Sequence, residues 1–503
     1  MIASQRVLLI NPTITSHRHA RFPLAILSLS ASLDGRYAST IIDGNVDRNF
    51  ISAAVRAVAD GSVGAVGVTV MGGPQLLSAI AVSKAIREKL PTVPIIWGGA
   101  FPTVVPEATL NAPYVDYAVR GQGEGALLQL LDALFDRQDE TLESIPGLTW
   151  RRRGEIVHNQ DRKFSSASLS RMLPYDKLDN PRQYLTKTYL GSRTMGYQAA
   201  LGCRFRCTFC GVATMFRGKM ALPTAARLEQ DLGFMKDRLG MNGIQFYDHN
   251  FFDREVDMVP LLEVLAKFGL PWWCFARSDA LVNLSEASWT LVRKSRLRMA
   301  YIGAESPSDW LLHDIRKGTS RDQTLEAVEK CRSHGVVPEL SFMLAPPQDP
   351  EGETEKTFQF IRLIKRLHPA TEVMIYIYTP LPRRHDTNAA SARMASELRD
   401  CAGRPVLFPQ TADEWAEPQW VDYWCHQDAP WLSERLRRRI VDFTTVLGCR
   451  YPTIMDIRAS AWGKSALRAL ASWRYRFQRY DDPWELRVSR KLIRHWDPRV
   501  MSL

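Results

Sequence analysis

The segment Gly202-Cys203-Arg204-Phe205-Arg206-Cys207-Thr208-Phe209-Cys210 gathers three of the chain's eight cysteines at the spacing C-x3-C-x2-C. The other five, at 274, 331, 401, 425 and 449, stand singly and read as small buried hydrophobes. One tight cluster among scattered thiols points to metal or redox chemistry rather than to a disulfide framework. Thiolates are soft ligands that suit iron–sulfur clusters or zinc. Structural zinc takes four ligands, usually as two separated pairs, and no second pair of that kind lies near this loop. Three cysteines on one loop can instead hold three irons of a [4Fe–4S] cubane. The fourth iron is then left open for a small molecule.

Around the loop, residues 191–382 repeat strand then helix six times. The strands expected are Gly196–Leu201, Gly243–Tyr247, Trp272–Ala276, Met299–Ala304, Glu339–Leu344 and Val373–Tyr378. Six units are fewer than the eight that close a full barrel, which predicts a partial (β/α)6 TIM-type barrel with an open side. The cysteine loop follows the first of these strands, at the carboxyl end where barrel active sites form.

Upstream, residues 1–140 also alternate short β-branched runs with helical stretches. The runs are Arg6–Ile10, Ser39–Ile42, Ala65–Val70, Pro94–Trp97 and Asp116–Val119. That alternation predicts an α/β fold with a doubly wound parallel sheet, whose ligands bind beyond the carboxyl ends of the strands. Gly-bearing loops fall at three of those ends, at Gly72-Gly73, Gly98-Gly99 and Gly121-Gln122-Gly123-Glu124, which favours a ligand site there. Residues 141–190 read as a connector that includes a β-hairpin turning at Arg153-Gly154. Residues 383–503 hold eight of the fourteen tryptophans and no strand alternation. Helices are expected there at about 389–400, 430–446 and 463–479, as a cap over the barrel.

A chain of 503 residues exceeds one ordinary core, so two or three domains are expected. The N-terminal apolar stretch is too short for a signal peptide and no apolar run spans a membrane, so the expected location is cytoplasmic. The net charge of +11 favours anionic small molecules, but no nucleic-acid-binding signature accompanies it, and no nucleic-acid partner is expected.

The C-x3-C-x2-C loop after the first barrel strand resembles the signature of the radical S-adenosylmethionine (SAM) superfamily. The resemblance implies a [4Fe–4S] cluster on Cys203, Cys207 and Cys210, with SAM on the open iron. It places Phe209 beside the SAM adenine. Phe246-Tyr247-Asp248-His249-Asn250-Phe251, Trp273-Cys274-Phe275-Ala276-Arg277 and Ile302-Gly303-Ala304-Glu305-Ser306 resemble later strand motifs of one large subgroup. On that likeness Asp248, Arg277 and Glu305 are expected at SAM.

That subgroup carries an N-terminal cobalamin (B12)-binding, Rossmann-like domain. Residues Trp97–Glu107 and Asp116–Glu124 resemble its Gly-rich loops. The likeness implies cobalamin contacts from Asn11, Pro12, Asp43, Thr69, Gly98, Gly99, Thr103, Gly121 and Glu124. The D-x-H-x-x-G motif that supplies a histidine to cobalt elsewhere is absent, and His17 and His19 are the only histidines of the first loop. In the family a 5′-deoxyadenosyl radical takes a hydrogen atom from an unactivated carbon and methylcobalamin gives that carbon its methyl group. The resemblance therefore implies a C-methyltransferase acting on a small molecule, fed by an electron donor such as flavodoxin or ferredoxin. A cyclase or rearrangement enzyme of the magnesium-protoporphyrin ester cyclase group is the alternative. No cysteine precedes residue 203, which argues against a tRNA methylthiotransferase, and an intact cysteine loop argues against a B12-responsive regulator.

Overall fold

Seven strands form the N-terminal sheet: β1 (Arg6–Asn11), β2 (Ser39–Asp43), β3 (Val63–Thr69), β4 (Ile95–Gly98), β5 (Tyr117–Val119), β6 (Leu148–Arg152) and β7 (Glu155–His158). Their order is β2-β1-β3-β4-β5-β6-β7, parallel up to β5. Runs such as Val7-Leu8-Leu9-Ile10 are apolar at every position because both faces of the sheet are covered by helices. Leu24–Leu33 and Gly123–Leu134 cover one face; Phe50–Ala59 and Pro74–Lys89 cover the other. The hairpin expected in the connector is present, with Arg153 and Gly154 both at positive φ. It is not a free linker, however. Strand β6 pairs antiparallel with β5, so the hairpin extends the N-terminal sheet.

The computed structural model describes residues 6–135, 141–382, 396–455 and 460–493. Its second large sheet has six parallel strands: β8 (Thr194–Tyr197), β11 (Gly243–Phe246), β12 (Trp272–Ala276), β13 (Leu297–Glu305), β14 (Val337–Leu344) and β15 (Glu372–Ile377). They stand in sequential order, and β8 and β15 form the two edges. This is the partial barrel with its open side. The first strand starts and stops earlier than the sequence suggested. Leu201–Gly202 instead forms a short strand, β9, paired antiparallel with β10 (Met220–Ala221), and this pair clasps the cysteine loop.

The C-terminal region departs from expectation in what it covers. The helix expected over 389–400 lies mostly outside the described residues. Helices Glu434–Arg450 and Ala461–Arg476 pack on the barrel helix Pro350–Leu367. Phe443 stacks on Phe358 of helix Pro350–Leu367 at 3.7 Å, and Arg362 donates to Tyr480 at 2.8 Å. The segment 410–431, by contrast, bridges the two sheets. On the N-terminal side Asp413 pairs with Lys84 at 2.6 Å and accepts from Tyr114 at 2.9 Å. The Trp424 ring presses on Gly72 so closely that a Cβ there would lie 1.9 Å from it. On the barrel side the Tyr423 hydroxyl donates to Pro380 O at 2.5 Å, Trp431 Nε1 to Ala345 O at 2.9 Å, and Ile377 N to His426 O at 2.8 Å.

Candidate active site

The cysteine loop is held from three directions. Thr208 N donates to Ile315 O at 2.9 Å, and Cys210 N closes a turn on Cys207 O at 3.2 Å. Asp248, at the carboxyl end of β11, accepts from the backbone N–H groups of Ala199 and Ala200 just upstream. Burial pushes this carboxyl up to about 7, against the hydrogen bonds that lower it. Asp248, expected at SAM, is thus turned onto the backbone and positions the loop.

Burial likewise pushes the Cys203 thiol up to about 11 and raises Cys207. Two buried cations, Arg277 and Lys317, oppose that effect on Cys207 and favour its thiolate. Three mutually interacting thiols flanked by buried cations fit an anionic iron–sulfur cluster. Among the described residues no three His, Cys, Asp or Glu side chains are gathered for a single metal ion. A cubane asks for something else, one thiolate on each of three irons.

Arg277, at the end of β12, lies 3.5 Å over the Phe205 ring, forks onto Asp279 at 3.0 and 3.1 Å, and donates to Lys317 O at 2.7 Å. Glu305 ends β13 at a register break with β14, at φ +60, a conformation costly for a non-glycine residue. Its carboxylate takes Lys317 Nζ at 2.7 Å and Ser341 Oγ at 3.4 Å. Phe209 packs on Leu311, Leu312, Ile315, Met343 and Tyr378, with Lys317 Nζ 5.9 Å from its ring. Arg277, Glu305 and Phe209 therefore converge beside the cysteine loop. Lys317 was missed: it sits in a loop, Arg316-Lys317-Gly318, with no strand or helix period to mark it.

A cavity of about 330 Å³ lies between the N-terminal sheet and barrel residues that flank the cysteine loop in sequence. Thr69, Gly98, Gly99, Gly121 and Glu124 line it from the carboxyl ends of β3, β4 and β5. Gly99 lies at φ +102, and a Cβ there would come 2.9 Å from Val70 O. A cradle of bare backbone fits a bulky ligand. Leu201, Met215, Phe216 and His249 line the opposite wall from the barrel. The His249 ring is deep in the molecule yet exposed to this cavity, and burial lowers its imidazole to about 4.

Four residues expected at cobalamin do not line this cavity. Asn11 donates to Asp43 at 3.0 Å, Tyr184 OH donates to the other Asp43 oxygen at 2.9 Å, and Gln75 donates to Asn11 and to Pro12 O at 3.1 and 3.0 Å. This buried network braces the sheet end against the segment leading to the barrel. Thr103 Oγ1 donates to Gly99 O at 2.6 Å and accepts from Gly121 N at 3.0 Å, tying two Gly loops together from behind. His17 and His19 form a 3-10 turn and do not line the cavity.

The B12 binding domain family matches residues 14–131, and the Radical SAM superfamily matches residues 197–361. The chain belongs to the radical SAM superfamily and carries a B12-binding domain. Among relatives of this radical SAM protein, an uncharacterized methyltransferase of Pyrococcus horikoshii is 24% identical over 344 residues, 68% of this chain and 73% of that one. The anaerobic magnesium-protoporphyrin IX monomethyl ester cyclase of Synechocystis sp. is 22% identical over 59% of this chain and 58% of its own. A solved structure shares the fold throughout. The radical SAM methyltransferase TsrM from Kitasatospora setae, with its tryptophan substrate and a SAM analogue bound, superposes with a TM-score of 0.68 at 17% identity, covering 97% of this chain and 100% of that one. No helix among the described residues is long and apolar enough to cross a membrane.

Proposed function

We propose that this radical SAM protein transfers a methyl group from SAM to an unactivated carbon of a small molecule. The observation that carries the reading is the shared cavity: the Gly loops of the B12-binding domain and the residues flanking the cysteine loop open onto one space. When bound, the cluster with SAM supplies one-electron chemistry and cobalamin supplies a methyl carrier. Cys203, Cys207 and Cys210 hold the cluster, Arg277, Glu305 and Phe209 border SAM, and Thr69, Gly98, Gly99, Gly121 and Glu124 border cobalamin. The His249 imidazole, kept neutral by burial, presents an uncharged ring at the cavity wall. The apolar residues Leu201, Met215 and Phe216 keep water from the reacting space. The electron comes from a small reduced carrier of the flavodoxin or ferredoxin kind.

Metal analysis of protein made anaerobically with cobalamin tests this reading. About four irons and one cobalt per chain are expected; iron without cobalt overturns methyl transfer. The cyclase relative supports a second reading, ring formation without methyl donation. Formation of S-adenosylhomocysteine separates the two, because methyl donation requires it and ring closure does not.

A further inference from the structure

The helix Ala461–Arg476 turns one face inward and leaves the other bare. Leu467, Ala471 and Tyr475 are buried, and the helix packs on Glu434–Arg450. Trp462, Leu470, Trp473 and Phe477 recur at helical spacing as a second stripe, on the outer side. Trp462 is 79% exposed, Phe477 64% and Trp473 51%. Trp484, 63% exposed, and Val488 lie one turn apart on the next helix, Trp484–Ile493, and are also open to solvent. Three of the four exposed tryptophans among the described residues fall in this segment, whereas Trp97, Trp272, Trp289 and Trp415 are fully buried. Apolar rings gathered in this way carry a hydration cost that a covering partner relieves.

The charge around the stripe indicates the kind of partner. Residues 460–493 hold eight Lys and Arg against three Asp and Glu, and helix Ala461–Arg476 contains no acid. All three carboxylates are held by arginines: Asp481 by Arg439 at 3.2 Å, Asp482 by Arg487 at 2.9 Å and Glu485 by Arg474 at 2.5 Å. Arg468, Arg476 and Arg479 are exposed and pair with no carboxylate among the described residues. Helical periodicity sets Arg468 and Arg476 on the flank that adjoins the stripe, and the Arg476 guanidinium lies 5.7 Å from the Phe477 ring. Trp and Phe on one side of a helix and cations beside them suit a bilayer interface, with the rings at headgroup level and the cations on lipid phosphates. The helix has 16 residues and is about 24 Å long, short of a hydrocarbon core, so it lies along a bilayer rather than across it. Rings protruding from a convex helix suit a fluid layer that closes round them.

We propose that this outer face docks the protein on an anionic lipid bilayer, with Trp462, Trp473 and Phe477 in the interface and Arg468 and Arg476 on lipid phosphates. Co-sedimentation tests it, using the full chain prepared anaerobically with iron and cobalamin and vesicles of phosphatidylcholine, alone or mixed with phosphatidylglycerol. Binding to the mixed vesicles is expected to be at least about tenfold tighter than to phosphatidylcholine alone. Trp462→Ser, Trp473→Ser and Phe477→Ser together are expected to weaken that binding by about tenfold or more, with circular dichroism unchanged. These substitutions leave the net charge as it is, so the loss is distinct from the general attraction of a basic protein to anionic lipid. Arg468→Gln with Arg476→Gln is expected to weaken it severalfold. Leu407→Ser, at a residue 82% exposed but outside this segment, is expected to leave it unchanged. No binding to the mixed vesicles, equal binding to both kinds, or binding that the serine substitutions leave intact overturns the inference. A chain that ignores vesicles but forms a dimer that the serine substitutions dissociate also overturns it, and assigns the face to a second copy.

Discussion

Lys317 and Glu305 form a buried ion pair at 2.7 Å, with each side chain 8% exposed. Removing one partner leaves the other charge uncompensated, so Lys317→Met or Glu305→Ala is expected to cost about 3–5 kcal/mol in denaturant unfolding. Replacing both with methionine should recover most of that loss; no recovery would mean the two act independently. Cys203→Ala, Cys207→Ala and Cys210→Ala are each expected to abolish iron retention, read as iron per chain, with the far-ultraviolet circular dichroism spectrum unchanged. At this scale the cysteines were legible because their spacing is itself the chemistry. Asp248 was legible as a marked position, but its hydrogen bonds to the Ala199 and Ala200 backbone were not, since a motif does not give the direction of a carboxylate. The buried network of Asn11, Pro12 and Asp43 was not legible either: their partners Gln75 and Tyr184 come from distant segments, and only the fold brings them together.

At the scale of elements, the loop after β4 gives a prediction that separates the two cofactor sites. Gly99→Ala is expected to lower cobalt per chain at least severalfold and leave iron unchanged, because the strained φ and the contact with Val70 O are confined to the B12-binding domain. Equal loss of both metals would show that the strain spreads through the molecule. The strands themselves read well from the sequence, to within two or three residues at most ends, since buried parallel strands are short runs of β-branched residues. The hairpin after Ile145 was recognised as a hairpin but not as an extension of the sheet. Turn residues fix local geometry, whereas pairing with β5 depends on the path the chain takes afterwards.

At the scale of the whole molecule, buried titratable groups set the pH range of stability. Glu339 has its native pKa raised from 4.5 to about 8, so its favourable contribution is complete below about pH 4.5 and is lost as pH rises through 8. His426, lowered from 6.5 to about 4, contributes above pH 6.5 and loses that contribution as pH falls toward 4. Protein free of cofactors is expected to be most stable between about pH 4.5 and 6.5, and Glu339→Gln to flatten the alkaline side of a melting-temperature profile. An unchanged alkaline limb would show that Glu339 is not the group titrating there. Segment 410–431 acts at the same scale. Trp424→Ala removes the ring by which this segment packs on Gly72 and Phe101 of the N-terminal domain and is expected to cost about 3–5 kcal/mol, with earlier proteolytic cleavage between the domains. Nothing in the sequence marked this bridge, because tryptophans record burial without recording what they are buried against.

That bridge has a consequence in time. A ribosome delivers the B12-binding domain first, the barrel next and segment 410–431 after both, and domains fold as units while synthesis proceeds. Until Trp424 and Trp431 emerge, the two domains meet only through contacts such as Arg21 over the Tyr247 ring and the Tyr184–Asp43 hydrogen bond, without the fastening of this segment. Once they dock, the two walls are fastened together. Protein made without cobalamin is therefore expected to take it up more slowly afterwards than protein supplied with it during synthesis, a difference that a time course of cobalt per chain would read.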